Sequence, residues 1–264
     1  MGEYNNYIES LKSELDLYNH DYSFSIPKVT VIIPAYNVED YIYDCLISLI
    51  KQTLKEIEII IVNDGSTDNT FSIISTFAQC DKRIKIINQN NKKAGAARNK
   101  AIKSAQGEYI TFVDSDDKLN LNTIEKLYNT AKINDSDIVI CGAYTIRHGK
   151  LKKGYYSIEK IPQNLKNKNL ESFSITKNIF KLPAVAWGKI YKKEFLLKNN
   201  IYFQEGCNGE DQIFFIKTVL LAQKIYIVNK NYYYYLKDRP TSLTYSRQKN
   251  DNSIILNFYA IEKF

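Results

Sequence analysis

The chain has 264 residues, 44% of them hydrophobic, and a formal net charge of +7. That length supports one large core, or one core with an attached subdomain. The basic residues are scattered through Lys/Asn-rich loops with no Arg stripe and no RNA-binding signature. Nucleic acid is therefore not the expected partner, and phosphorylated substrates or an anionic membrane surface remain.

Cys45, Cys80, Cys141 and Cys207 lack any CxxC pair, which argues against a zinc knuckle or disulfide frame and for a reduced, cytoplasmic protein. There is no basic-then-apolar leader and no apolar run near the ~20 residues of a membrane span. Peripheral contact with the inner face of a membrane through basic loops stays compatible with this composition.

Residues 1–25 read as a polar, weakly amphipathic helix (Tyr7, Leu11, Leu15, Tyr18) with a linker ending at Pro27. From Val29 an alternation begins. VTVIIP, IEIIIVND, RIKIINQ, YITFVD and DIVICGAY are apolar runs, separated by EDYIYDCLISLIKQT, TDNTFSIISTFAQ, AARNKAIKSAQ and NTIEKLYNTAK at helical spacing. Strands apolar throughout, alternating with amphipathic helices, predict a mostly parallel sheet covered on both faces. Beyond Tyr144 the rhythm breaks. Helices are expected near 170–180, 192–199 and 211–222, followed by the β-type run IYIVNKNYYYY and a last helix, ILNFYAIEKF, whose missing end signal reads as a chain continuing past Phe264.

In an open parallel sheet, ligands bind beyond the carboxyl ends of the strands, where strand order reverses. The residues there are PAYN (34–37), NDGSTD (63–68), NNKKAGAARN (90–99) and DSDD (114–117). Asp114, Asp116 and Asp117 crowd three carboxylates into four residues, and oxygen ligands of this kind suit Mg²⁺ or Mn²⁺ shared with a phosphate. Each piece has a plainer reading: Gly65 as a turn glycine, Ser66, Thr67 or Asp68 as caps, Lys93 and Arg98 as solvated charges, and Asp117 as a cap for the next helix. Their recurrence at matching strand ends favours a nucleotide-diphosphate site. GxxxxGK[ST] and a GxGxxG after the first strand are absent, which counts against P-loop kinases and dinucleotide dehydrogenases.

VTVIIPAYNVEDYI, VNDGSTDNT, GAARNKAI, GEYITFVDSDD, AWGKIYKKEF and GEDQIFF stand in the order typical of family 2 glycosyltransferases, and over roughly 29–235 the chain resembles these inverting enzymes of the GT-A fold. The resemblance implies a nucleotide-diphosphate-sugar donor, with UDP expected, and a glycan, lipid-linked saccharide or glycoprotein as acceptor. It implies that Pro34, Tyr36 and Asn37 line the nucleotide pocket and that Asp64 meets the pyrimidine edge. Asn91 and Arg98 would lie by the nucleotide. Asp114, Ser115 and Asp116 would face ribose and metal, with Asp114 and Asp116 as the ligands for Mn²⁺ or Mg²⁺. Where family members often carry glycines after an Asn, this chain has Lys92 and Lys93, which predicts a stiffer, more cationic loop.

Glu210 and Asp211 open a predicted helix, where a carboxylate is favoured by the helix dipole in any case. The resemblance makes Asp211 the general base and Glu210 a positioning contact. Trp187 is the candidate acceptor platform, against the plainer reading of a core tryptophan; Tyr232 to Tyr235 read as strand packing. The organisation expected is a helix and linker over 1–27, a nucleotide-sugar-binding α/β half over 28–145, an acceptor-side α+β region with the catalytic base over 146–245, and a terminal helix over 246–264. A sugar-1-phosphate nucleotidyltransferase and a non-catalytic sugar-nucleotide-binding domain are the alternatives. The first would ordinarily place a glycine-rich basic loop where PAYN stands.

Overall fold

The computed structural model describes residues 26–171 and 181–237. The helices expected within 1–25 and at the C-terminus, and nearly all of the one expected near 170–180, fall outside the described residues.

Three strands carry the first half of the sheet: β1 (Val29–Ala35), β2 (Ile57–Asn63) and β3 (Ile84–Asn88). β4 (Tyr109–Phe112) lies on the other side of β1, giving the order β3-β2-β1-β4 with all three pairings parallel. Every residue of β2 and β4 is buried, as the continuous apolar runs require of strands covered on both faces. Between them run α1 (Ile42–Ile50), α2 (Thr70–Cys80) and α3 (Lys93–Ser104). Val31, Ile33, Leu46, Ile59 and Phe77 build the core on one face, and Ile32, Ile60, Ala97, Ala101 and Phe112 the core on the other.

Past β4 come the short β5 (Lys118–Leu119), α4 (Thr123–Asn134), β6 (Ile138–Arg147) and β7 (Lys150–Lys152), then β8 (Asn169–Leu170), β9 (Lys189–Lys192), α5 (Lys193–Lys198), α6 (Glu210–Leu221) and β10 (Ile225–Leu236). β6 does not extend the parallel order beside β4. β9 lies between them, antiparallel to both. The four residues of β9 follow the Trp187 segment and are too few to show a period, so this insertion has no periodic signal. β10 is parallel to β6 and antiparallel to β5, so strands from both halves of the chain share one sheet. Two antiparallel steps restore direction: the carboxyl ends of β1, β2, β4, β6 and β10 all emerge at one edge. Among the described residues no helix is long and apolar enough to cross a membrane.

Candidate active site

The sheet order reverses at β1, and the turns after β1, β2 and β4 meet there. Asn37, at φ 48°, accepts the Thr67 N–H at 2.8 Å, and its own N–H donates to Ser66 Oγ at 3.2 Å. The PAYN and NDGSTD turns are thereby tied together. Gly65 has φ 77°, the left-handed turn conformation that glycine takes without strain. Asp68 accepts the Thr70 N–H at 3.0 Å just before α2; the cap position itself is Asn69, whose side chain makes no capping bond. At the ends of β1 and β2, Pro34 pairs with Val62 and Ala35 with Asn63. Tyr36 is exposed beside them. Asp64 is buried and accepts from Gln89 Nε2 at 2.7 Å and the Lys92 N–H at 2.9 Å. Lys92 is thus read through its backbone, while Asn91 and the Lys92 and Lys93 residues around it are exposed.

Arg98 organises the centre. It is buried on α3, and its Nη2 donates to Asp114 Oδ1 at 2.8 Å, while Nη1 donates to Glu210 Oε1 at 2.6 Å and Asp211 Oδ1 at 3.0 Å. The guanidinium carbon lies 5.1 Å from the Phe203 ring centroid, a cation–π placement. Burial alone would disfavour this cation, but Asp211, Asp114 and Glu210 outweigh it and hold its pKa above the usual arginine value. One cation still faces three anions. Burial, then the charges of Asp211 and Asp116, push Asp114 up to about 7 despite Arg98. Burial likewise raises Glu210.

That surplus of negative charge is a donor set into which a hard dication fits. Asp114 and Asp116 offer carboxylate oxygens beyond the strand, and such an ion takes its other ligands from phosphate and water. Among the described residues no three His, Cys, Asp or Glu converge as a metal cage. Ser115 between them is buried. Asp117 is not a helix cap. α4 starts at Thr123, and Asp117, fully enclosed, accepts from Tyr233 Oη at 2.7 Å and the Leu236 N–H at 2.8 Å. Tyr233 Oη also accepts the Asp114 N–H at 3.1 Å. The middle of the tyrosine run therefore holds the carboxylate turn in place, a role its packing pattern did not reveal.

Glu210 and Asp211 begin α6, with Gly209 at φ 79° before them. Asp211 Oδ2 accepts the Ala186 N–H at 3.3 Å, so both carboxylate oxygens have partners. The small residues of GAARN explain the approach of α3 to this loop. A Cβ on Gly95 would come within 2.5 Å of the Gln204 carbonyl oxygen, and Asn99 exchanges hydrogen bonds with the Phe203 backbone. Lys93 Nζ adds a bond to the Gly206 carbonyl at 3.0 Å.

Lys189 is the residue that sequence reasoning missed. It is 1% exposed and donates to the carbonyls of Pro183 (3.1 Å), Val185 (2.7 Å) and Trp187 (3.4 Å). Tyr191 Oη donates to the Ala186 carbonyl at 3.1 Å. Together they fix the peptide whose N–H reaches Asp211. Its AWGK context was visible, but a lysine in a short strand reads as exposed. Trp187 itself is 4% exposed, stacked on Tyr233 at 4.4 Å and Tyr235 at 5.4 Å with Tyr156 edge-on at 4.8 Å. Its ring is enclosed by tyrosines, and Tyr156 and Tyr155 lie on the way out to solvent.

Residues 30–190 match the model of the Glycosyl transferase family 2. The chain belongs to that family. It is 37% identical over 215 residues to the glycosyltransferase GlyA of Streptococcus pneumoniae, covering 79% of this chain and 30% of GlyA. It is 35% identical over 219 residues to the poly(ribitol-phosphate) beta-glucosyltransferase of Bacillus spizizenii, covering 80% of this chain and 32% of that enzyme. The chain thus spans about a third of the length of these two relatives. The solved structure of Staphylococcus aureus TarS 1-349 in complex with UDP-GlcNAc superposes with a TM-score of 0.73 at 29% identity, over 89% of this chain and 66% of that one. The family 2 fold of this chain is accordingly the GT-A-type sheet, with its parallel first half and its antiparallel β9 insertion.

Proposed function

We propose that this family 2 glycosyltransferase transfers a sugar from a nucleotide diphosphate, UDP, to an acceptor hydroxyl on a polymer, with inversion at the anomeric carbon. The observation that carries the reading is the Arg98 bridge, which joins Asp114 of the carboxylate turn to Glu210 and Asp211 at the start of α6. Groups suited to a diphosphate and a group suited to a hydroxyl proton thereby face one space. The UDP-GlcNAc held by TarS supports the donor class, and the poly(ribitol-phosphate) named for the B. spizizenii relative supports a polymeric acceptor.

Asp211 is the general base. Its hydrogen bonds from Arg98 and the Ala186 N–H orient the carboxylate, and it takes the acceptor's proton as the bond to the leaving group breaks. Glu210 shares Arg98 and orients it. Pro34, Tyr36, Asn37 and Asp64 receive the nucleoside, and Tyr36 offers an exposed ring for the base. Asp114 and Asp116 would hold Mn²⁺ or Mg²⁺, which as a Lewis acid neutralises charge on the departing diphosphate.

The test is nucleoside diphosphate release from a panel of nucleotide sugars, with Mn²⁺, Mg²⁺ or chelator. UDP-sugars with metal are expected to turn over. Asp116→Asn should abolish transfer and weaken metal-dependent UDP binding, and Asp211→Asn should abolish transfer while UDP still binds. Retained transfer in Asp211→Asn removes the base assignment.

A further inference from the structure

β6 and β7 form a hairpin at the sheet edge where the active site opens. Its turn is His148–Gly149, with φ of 48° and 68°, the two positive angles of a tight type I′ turn. Its pairings are Arg147 with Lys150, Ile146 with Leu151, and Thr145 with Lys152. Directly opposed residues project to the same face, and alternate residues share it. Arg147, Lys150 and Lys152 therefore lie on one face of a two-stranded ribbon. All three are exposed.

Arg147 and Lys150 stand directly opposite one another, which concentrates positive charge at the tip of the hairpin, and Glu159 is bonded to Lys153 at 2.7 Å and to Asn231 at 3.0 Å.

The register extends this face inward. Thr145 pairs with Tyr235 and Ala143 with Tyr233 across β10. The cations thus share their face with the stack of Tyr235, Tyr233, Trp187 and Tyr156. Tyr155, 70% exposed, meets Tyr156 edge-on at 5.2 Å. At the inner end Tyr233 Oη bonds the Asp114 N–H and the Asp117 carboxylate. A strip with cations outside and the partly exposed rings of Tyr155, Tyr156 and Tyr235 inside thus runs from the hairpin, over the enclosed Trp187 and Tyr233, toward the carboxylate turn. Aromatic rings suit the C–H faces of sugars and polyols, and exposed ammonium groups suit anions.

We propose that this strip is the acceptor track and that the acceptor is an anionic chain, a saccharide or polyol polymer bearing phosphodiester or carboxylate groups that lie on Lys150, Lys152 and Arg147 while its hydroxyl end passes Tyr155 and Tyr156 toward Asp211. This rests on the glycosyl-transfer reading for its direction, but binding along the strip is measured without transfer.

The chain's one tryptophan, Trp187, lies enclosed beneath the strip against Tyr156 and Tyr235 and reports its occupancy. Its emission is followed while oligo(glycerol phosphate), oligogalacturonate or uncharged dextran of matched length is added at two salt concentrations. At least one anionic chain should bind, more weakly at high salt because exposed charges are screened, and dextran should not. Lys150→Glu/Lys152→Glu should weaken that binding at least tenfold. UDP affinity, read in parallel, reports whether the variant is folded, and Lys150→Glu alone should give a smaller loss in the same direction.

Dextran binding as well as the anionic chains would overturn the proposal, as would anionic binding that ignores salt and charge reversal. A third overturning result is hairpin-dependent binding to phosphatidylglycerol vesicles with no binding of either anionic chain. A failure of transfer with every nucleotide sugar would instead sink the catalytic reading and leave the binding result standing.

Discussion

Asp114 and Asp211, from opposite halves of the chain, are held by one guanidinium, with Arg98 Nη2 2.8 Å from the first and Nη1 3.0 Å from the second. A lysine ammonium is a point charge and cannot span both with fixed geometry. Arg98→Lys should therefore lower transfer by roughly a hundredfold, the scale of a 1 Å misplacement of a reacting group. Arg98→Met removes the cation from under three enclosed carboxylates and should cost about 3–5 kcal/mol. Denaturant midpoints and steady-state rates distinguish the two. A wild-type rate in Arg98→Lys would mean the bridge is not needed in the reacting state.

Gly95 lets α3 meet the loop that delivers Glu210 and Asp211. Alanine would favour the helix by up to ~1 kcal/mol, but its Cβ would lie within 2.5 Å of the Gln204 carbonyl oxygen. Backbone there cannot yield as a flexible side chain does, and overpacking of this kind costs about 1–3 kcal/mol. Gly95→Ala should thus be net destabilising, with a fall in kcat larger than any change in donor affinity. A raised melting temperature would show that the loop shifts freely.

Much of this site was legible because parallel-sheet physics fixes where to look. PAYN, NDGSTD and DSDD each follow an apolar run, and the structure brings all three to the edge where strand order reverses at β1. Arg98 was legible as a donor-side cation, but not as the tie to Asp211, since its partners lie in another half of the chain. The tyrosine run does pack as a strand, but the bond from Tyr233 to Asp117, the residue read as a cap, was hidden for the same reason. Their bond spans β5 and β10, whose pairing leaves no periodic signal in two residues of strand. β9 was hidden likewise.

Tyr233→Phe isolates that tie. The ring still stacks on Trp187, while the Asp114 N–H and the enclosed Asp117 carboxylate each lose a partner. Burial, with the charges of Asp116 and Asp114, already raises Asp117 well above the usual carboxylate range, so losing the donor raises it further. A buried acceptor left unsatisfied costs about 1–3 kcal/mol. The variant should show that loss by chemical denaturation, together with weaker metal-dependent UDP binding. Unchanged stability would mean water replaces the hydroxyl.

Lys189 supplies a prediction whose sign depends on pH. Burial pushes its ammonium down to about 7, against the opposing pull of Cys141 on β6 and Asp211 on α6. An unfolded lysine titrates near 10.4. Below pH 7 both states carry the proton and the burial penalty is fully present. Between about 7 and 10 the unfolded chain binds more protons than the folded one, so stability rises with pH through this window. Lys189→Met removes the titration while keeping an apolar stem. The wild type should therefore gain stability relative to Lys189→Met as pH is raised from 7 to 10, read from paired denaturant titrations. The same variant frees the carbonyls of Pro183, Val185 and Trp187 and loosens the Ala186 N–H on Asp211. Its kcat should fall about tenfold or more, with a smaller change in UDP affinity, since the loop's hydrogen bond is made to Asp211. A stability difference flat in pH would show that the three carbonyls keep Lys189 protonated throughout, and an unchanged kcat would show that Asp211 does not need the Ala186 bond.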